Sequence, residues 1–270
     1  MELIADLLST SFDGVSWVTL VLLILVGFSA GWVDAVVGGG GLLQLPVLLT
    51  VPGISPVQAL ATNKLGSIFG TTTSALTYIR RVRPSLRTAA PTALAALAAS
   101  YLGAKVAAWL PEQVITPVIV LALLGVGIFT AAKPQVGRLE RLRHVGLGHL
   151  ARAVGVGAVV GFYDGVLGPG TGTFLIIGLV MVLGFNFLNA SAHAKIVNAA
   201  TNLGALLSFG PAGHVLVGLG LLLGAANLLG GYTGARMAIA KGSQFVRVIF
   251  LVVVFALVAK LGWDLLAEWF

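Results

Sequence analysis

Apolar residues run through this chain in long blocks separated by short polar interruptions, with no sustained alternation of period two. Eight blocks are long enough to be spanning helices: Trp17–Val37, Val57–Ile79, Leu86–Leu110, Val114–Ala132, Leu150–Leu167, Phe187–Phe209, His214–Ala238 and Phe245–Trp263. Each has roughly 18 to 25 residues, enough for a bilayer core of about 30 Å at 1.5 Å per residue. Two shorter pieces, Gly38–Val51 and Gly168–Leu183, begin with glycines and then turn apolar. The pattern predicts an all-α polytopic integral membrane protein with eight full transmembrane helices and two glycine-broken short segments.

The short pieces either re-enter the membrane or cross it. Four extended glycines reach about 13 Å and ten helical residues about 15 Å, together nearly a full core. The basic residues favour crossing. They cluster at Arg80, Arg81, Arg83 and Arg87, at Lys133, Arg138, Arg141 and Arg143, and at Arg236, Lys241 and Arg247. If both short pieces cross, all three clusters fall on the cytoplasmic side and both termini fall outside, which satisfies the positive-inside rule. If both re-enter, the second and third clusters fall on opposite sides.

The pattern also repeats. "GFSAGWVDAVVGGGG" (27–41) aligns with "GAVVGFYDGVLGPGT" (157–171), so that Asp34 meets Asp164, Gly38 meets Gly168 and Gly40 meets Gly170. Further on, Lys64 in "ATNKLGS" meets Lys195 in "AHAKIVN" after a one-residue gap. With five segments per half, the second half starts on the opposite face, an inverted-topology five-plus-five repeat. Residues 1–132 then form a first transmembrane repeat, 133–148 a basic cytoplasmic linker and 149–270 a second repeat.

Composition narrows the function. The 270 residues are 58% hydrophobic and 9% charged, with mean hydropathy +1.02. A soluble domain carries about a quarter charged residues. The net charge of +7 lies in short loops and reads as membrane orientation, with no nucleic-acid partner. With no cysteine, disulfides and thiolate chemistry are excluded. The acidic start "MELIADLLSTSFDG" lacks the basic region of a signal peptide, so the first apolar run is expected to be retained. No metal-ligand spacing and no Ser/His/Asp constellation stands out, so neither a cofactor nor an enzymatic activity is expected.

The candidate chemistry lies inside the spans. Unwound backbone at membrane depth persists only where protein buries it or water reaches it. The breaks at Gly38, Gly39, Gly40 and Gly41 and at Gly168, Gly170, Thr171 and Gly172 therefore point to a central cavity. The helix that follows each break aims its N-terminus at that cavity, which suits an anion. The alternative is a close helix crossing through small residues. Lys64, with Thr62 and Asn63, and Lys195, with Asn198 and Asn202 on one helical face, add cations and amides. Asp34 and Asp164 read either as carriers of a coupled proton or as partners of the lysine in their own half. His193 has a titration range suited to proton coupling, set against packing as an ordinary polar residue. The partners implied are a small anionic substrate, the lipid bilayer and a coupled proton. Homo-oligomerisation is left open, because many helix faces carry small residues.

These motifs, "GFSAGWVDAVVGGGGLLQLPVL", "ALATNKLGS" and "AHAKIVNAATNLGAL", resemble the TauE/SafE sulfite-exporter family of membrane transporters over nearly the whole chain. The resemblance implies a transporter of the bacterial plasma membrane that exports sulfite, a sulfonate such as sulfoacetate, or a related small anion. It also implies that the glycine breaks and the polar helix starts form the substrate path. The second half departs from the family pattern in "GPGTG", and His193 stands where threonine is common. The expected mechanism is alternating access at a midplane site, and the competing reading is a passive anion or water channel.

Overall fold

The computed structural model describes residues 17–109, 140 and 142–267. The expected span Val114–Ala132, both chain ends and the linker residues Lys133, Arg138 and Arg141 lie outside the described residues. The helices are α1 (Trp17–Val37), α2 (Gly40–Leu49), α3 (Pro56–Arg81), α4 (Leu86–Ala107), α5 (Gly146–Val166), α6 (Thr171–Gly178, continued by a π-helical turn, Leu179–Leu183), α7 (Phe187–Phe209) and α8 (Val217–Ala267).

Local chemistry explains most boundaries. Ser55 caps α3 in a reciprocal capping box with Gln58, and Pro56 opens the helix where its missing N–H costs nothing. Asn186 caps α7 by accepting from the Asn189 amide. The expected spans His214–Ala238 and Phe245–Trp263 run on as α8, broken only at Gly242, whose backbone is non-helical (φ 74°). α8 starts at Val217 instead of His214 because the preceding turn contains left-handed Gly213 (φ 73°). The end of the linker is tied to α7: Glu140 Oε2 accepts from Asn186 Nδ2 (2.9 Å) and Asn189 Nδ2 (2.5 Å).

The polarity of the molecule is inverted relative to a water-soluble fold. Leu94 is 69% exposed and Leu147 84%, while Lys64, Lys195, Asp34 and Asp164 are buried. Of the described helices, Trp17–Val37 and Gly146–Val166 are long and apolar enough throughout to cross a membrane by that measure alone. The long helices α3, α4, α7 and α8 mix apolar outer faces with buried polar positions such as Thr71, Ser100, Thr201 and Asn227.

The helices interlock by exchange. α4 packs mainly on α5 and α7, whereas α8 packs mainly on α1 and α3. The fourth helix of each half therefore sits in the other half. Small residues permit the close approach. A Cβ at Gly161 on α5 would run into the Ala96 carbonyl of α4, and one at Gly31 on α1 would run into the Asn227 carbonyl of α8. The small-residue crossing and the glycine breaks thus coexist: the glycines upstream of each break serve packing.

Two substitutions on α5 separate these roles. Gly161→Val is expected to force α5 off α4 and destabilise the protein by about 1–3 kcal/mol. Gly155→Ala is expected to stabilise it by roughly 0.5–1 kcal/mol through helix propensity, because a Cβ at Gly155 meets nothing within 4 Å. Thermal unfolding in detergent, followed by intrinsic fluorescence, reads both signs.

Candidate functional site

Asp34 stands in the last turn of α1, and Asp164 in the last turn of α5. Just beyond each, a left-handed glycine stops the helix: Gly38 (φ 86°) and Gly168 (φ 84°). Both carboxylates are thereby held at the broken ends. Lys64 on α3 and Lys195 on α7 reach them from buried positions.

The lysines pair across the halves, which corrects the alternative reading in which each aspartate partners the lysine of its own half. Lys64 Nζ lies 2.5 Å from Asp164 Oδ1, and Lys195 Nζ lies 2.9 Å from Asp34 Oδ2. Each ion pair therefore bridges the two halves. An unpaired charge at this depth costs a few kcal/mol even on insertion scales. Removing one partner of a buried pair is correspondingly severe, at about 3–5 kcal/mol.

The two breaks touch. A Cβ on Gly38 would enter the backbone of Gly172 and Thr173, and a Cβ on Gly172 would enter Gly38. The carbonyls left over at the end of α1 are satisfied by other elements, one after another. Tyr78 of α3 donates to Ala35 O (3.0 Å) and Ser191 of α7 to Val36 O (3.4 Å). Thr173 of α6 donates its hydroxyl to Val37 O (3.1 Å) and its amide to Gly38 O (3.2 Å). The second break is closed locally: the Thr171 hydroxyl proton is shared between Gly168 O (2.7 Å) and Asp164 Oδ1 (2.5 Å), and Tyr163 donates to Pro169 O (2.7 Å). Tyr78, Ser191 and Thr173 were not among the candidate residues. Only Thr173 had a sequence signal, since it extends the "GPGTGT" run.

A cavity of about 20 Å³ lies at this junction. Of the expected residues, Gly38, Gly41, Asn63 and Lys64 line it from the first half, and Gly168, Gly170, Thr171, Gly172, Asn198 and Asn202 from the second, together with Asp34 and Asp164. Ser67, one helical turn beyond Asn63 and Lys64, joins them. The other expected residues stand apart. Lys195 is fully buried on Asp34 without lining the cavity. Thr62 Oγ1 accepts from the Leu216 amide (3.0 Å). Gly39 faces Val253 and Val33, and Gly40 packs on Ala30 and Asp34. His193 has Nδ1 2.9 Å from Asn189 O and stacks on Phe185 at 4.6 Å between centroids. A buried amide pair not foreseen from the sequence, Asn227 Nδ2 donating to Gln44 Oε1 (2.9 Å), ties α2 to α8.

The arrangement places one ammonium, two carboxylates, amides and the start of α6 around a space large enough for about one water, with the second ammonium, Lys195, behind Asp34. Among the described residues no group of three or more His, Asp or Glu side chains is placed to hold a metal ion.

The chain is 36% identical over 242 residues to a "Probable membrane transporter protein ORF9" of Sinorhizobium sp, covering 90% of this chain and 92% of that protein. It is 34% identical over 250 residues to the "Probable membrane transporter protein YfcA" of Escherichia coli K12, covering 93% and 92%. It is 33% identical over 245 residues to a "Probable membrane transporter protein" of Haemophilus influenzae, covering 91% and 95%. No solved structure matches the chain. The profile described as "Sulfite exporter TauE/SafE" matches residues 23–261, and the chain is accordingly an integral membrane protein belonging to the TauE/SafE family of membrane transporters.

Proposed function

We propose that the protein is a secondary transporter that exports a small sulfur-containing anion, sulfite or a sulfonate such as sulfoacetate, by alternating access between two inverted repeats. The observation that carries this reading is the reciprocal exchange of buried ion pairs between the halves at a cavity lined from both. The sulfur chemistry is supported by the family description. The inverted relation of the halves is supported by the duplicated Asp-glycine break and by the exchange of α4 and α8.

At about 20 Å³ the cavity is closed to any oxyanion of four or more heavy atoms. Entry requires the halves to part, and parting them stretches the Lys64–Asp164 pair that joins them. An incoming anion replaces Asp164 at the Lys64 ammonium, while amides at the start of α6 and the side chains of Asn63, Asn198 and Asn202 supply hydrogen bonds. Lys195 holds Asp34, and with it the end of α1, in place from behind. A closed cavity favours a carrier over a passive pore.

A thermal-shift panel of sulfite, sulfoacetate, sulfate, thiosulfate and taurine tests the substrate class. The true ligand is expected to add about 2.7 kcal/mol of stability at a hundred times its Kd. Lys64→Ala is expected to weaken that ligand by roughly tenfold to a hundredfold and to stop its uptake into proteoliposomes. Normal uptake by the folded variant would sink the role of Lys64, and an ohmic anion current in wild type would favour a channel. Lys195→Ala is expected to cost about 3–5 kcal/mol of stability. The double variant with Asp34→Ala is expected to recover part of that loss in a denaturant-unfolding cycle.

A further inference from the structure

The two ion pairs differ in a way the repeat does not predict. Asp34 gives Oδ2 to Lys195, which does not line the cavity. Asp164 gives Oδ1 to both the Lys64 ammonium and the Thr171 hydroxyl, and its Oδ2 is buried without a hydrogen-bond partner. A second buried oxygen, Asn63 Oδ1, is also without a partner. Both residues line the same cavity. Two acceptors cannot satisfy each other. One proton on Asp164 Oδ2 turns that carboxyl into a donor in the cavity that Asn63 also lines.

The charge balance points the same way. At rest, Lys64 and Lys195 offset Asp34 and Asp164. An anion that takes Lys64 displaces Asp164 and would strand its carboxylate, unpaired, in a buried site. A proton arriving with the anion removes that charge. The groups around Asp164 are Lys64 from α3, Asp34 from α1, Lys195 from α7, Thr171 from α6 and Tyr163 on α5, whose hydroxyl is engaged by Pro169 O. α4 meets this turn through the backbone of Ser100 and Ala104 at Gly165. His193 is held against Phe185, outside the cavity lining.

We propose that Asp164 is the proton carrier of the site, taking one proton on Oδ2 for each anion that Lys64 receives, with Asn63 as the acceptor of that proton's hydrogen bond. The proposal rests on the anion-transport reading above and selects Asp164 over Asp34 and His193. The proton enters and leaves with the anion, restoring the Lys64–Asp164 pair, so that export carries the proton outward and an inward proton gradient drives the carrier in its reverse, uptake direction.

The test uses methanesulfonate, 2-hydroxyethanesulfonate and sulfoacetate, whose acidic groups are fully ionised at neutral pH. In weakly buffered detergent solution, wild-type protein is expected to take up about one proton per bound sulfonate. Asp164→Asn, whatever affinity it retains, is expected to take up no proton per sulfonate bound, whereas His193→Gln is expected to keep the wild-type ratio. In proteoliposomes, an inward proton gradient is expected to accelerate sulfonate uptake by wild type and to have no effect on whatever uptake or exchange Asp164→Asn retains. Sulfonate binding by wild type without proton uptake, or gradient-driven uptake by Asp164→Asn, overturns the proton role and leaves anion transport standing. If none of the three sulfonates binds or moves, the sulfonate reading falls and this proposal with it. Should Asp164→Asn fail to fold, the wild-type proton count decides.

Discussion

The structure depends on where the last carbonyls of α1 find their hydrogen bonds. A helix that ends inside an apolar protein exposes acceptors that water cannot reach, and each must be met by a donor. Ala35, Val36, Val37 and Gly38 are met in turn by Tyr78, Ser191 and Thr173, from α3, α7 and α6. Two of those three helices belong to the second half of the chain. The first break is therefore completed only when the second half is in place, and the site cannot be assembled from one half alone.

The buried charges obey the same logic. A lysine and an aspartate at this depth are tolerable as a pair and costly apart. Because each pair spans the halves, neutrality is also a property of the assembled molecule. This coupling suits a carrier: the contacts that close the cavity are the ones that movement between the halves would break. The two pairs are placed differently: Lys64, the partner of Asp164, lines the cavity, whereas Lys195, the partner of Asp34, does not.

Much of this was legible in the amino-acid pattern. Apolar blocks of spanning length placed Trp17–Val37 and Phe187–Phe209 at the boundaries the helices have. The glycine runs marked both breaks because no regular helix continues through left-handed Gly38 and Gly168. The acids, lysines and amides stood out as polar residues in apolar surroundings, and most of them line one cavity. Residues such as Tyr78, Ser191 and Gln44 carried no such signal, since a hydroxyl or amide facing a distant carbonyl looks like any other polar residue on a helix.

By itself, then, the sequence determined the helical class, the duplicated breaks and the chemical inventory of the centre, because hydropathy and backbone freedom are local properties. The tertiary structure alone decided which lysine meets which aspartate, that Lys195 stands behind the cavity, and that α4 and α8 are exchanged between the halves. Those outcomes depend on distances between residues far apart in the chain, 164 − 64 = 100 positions for Lys64 and Asp164 and 161 for Lys195 and Asp34. Both the pairing within halves and the pairing across them give a neutral sum, so charge counting could not choose between them. The close approach of Gly38 to Gly172 brings the two broken ends together, and with it each lysine within reach of the other half's carboxylate.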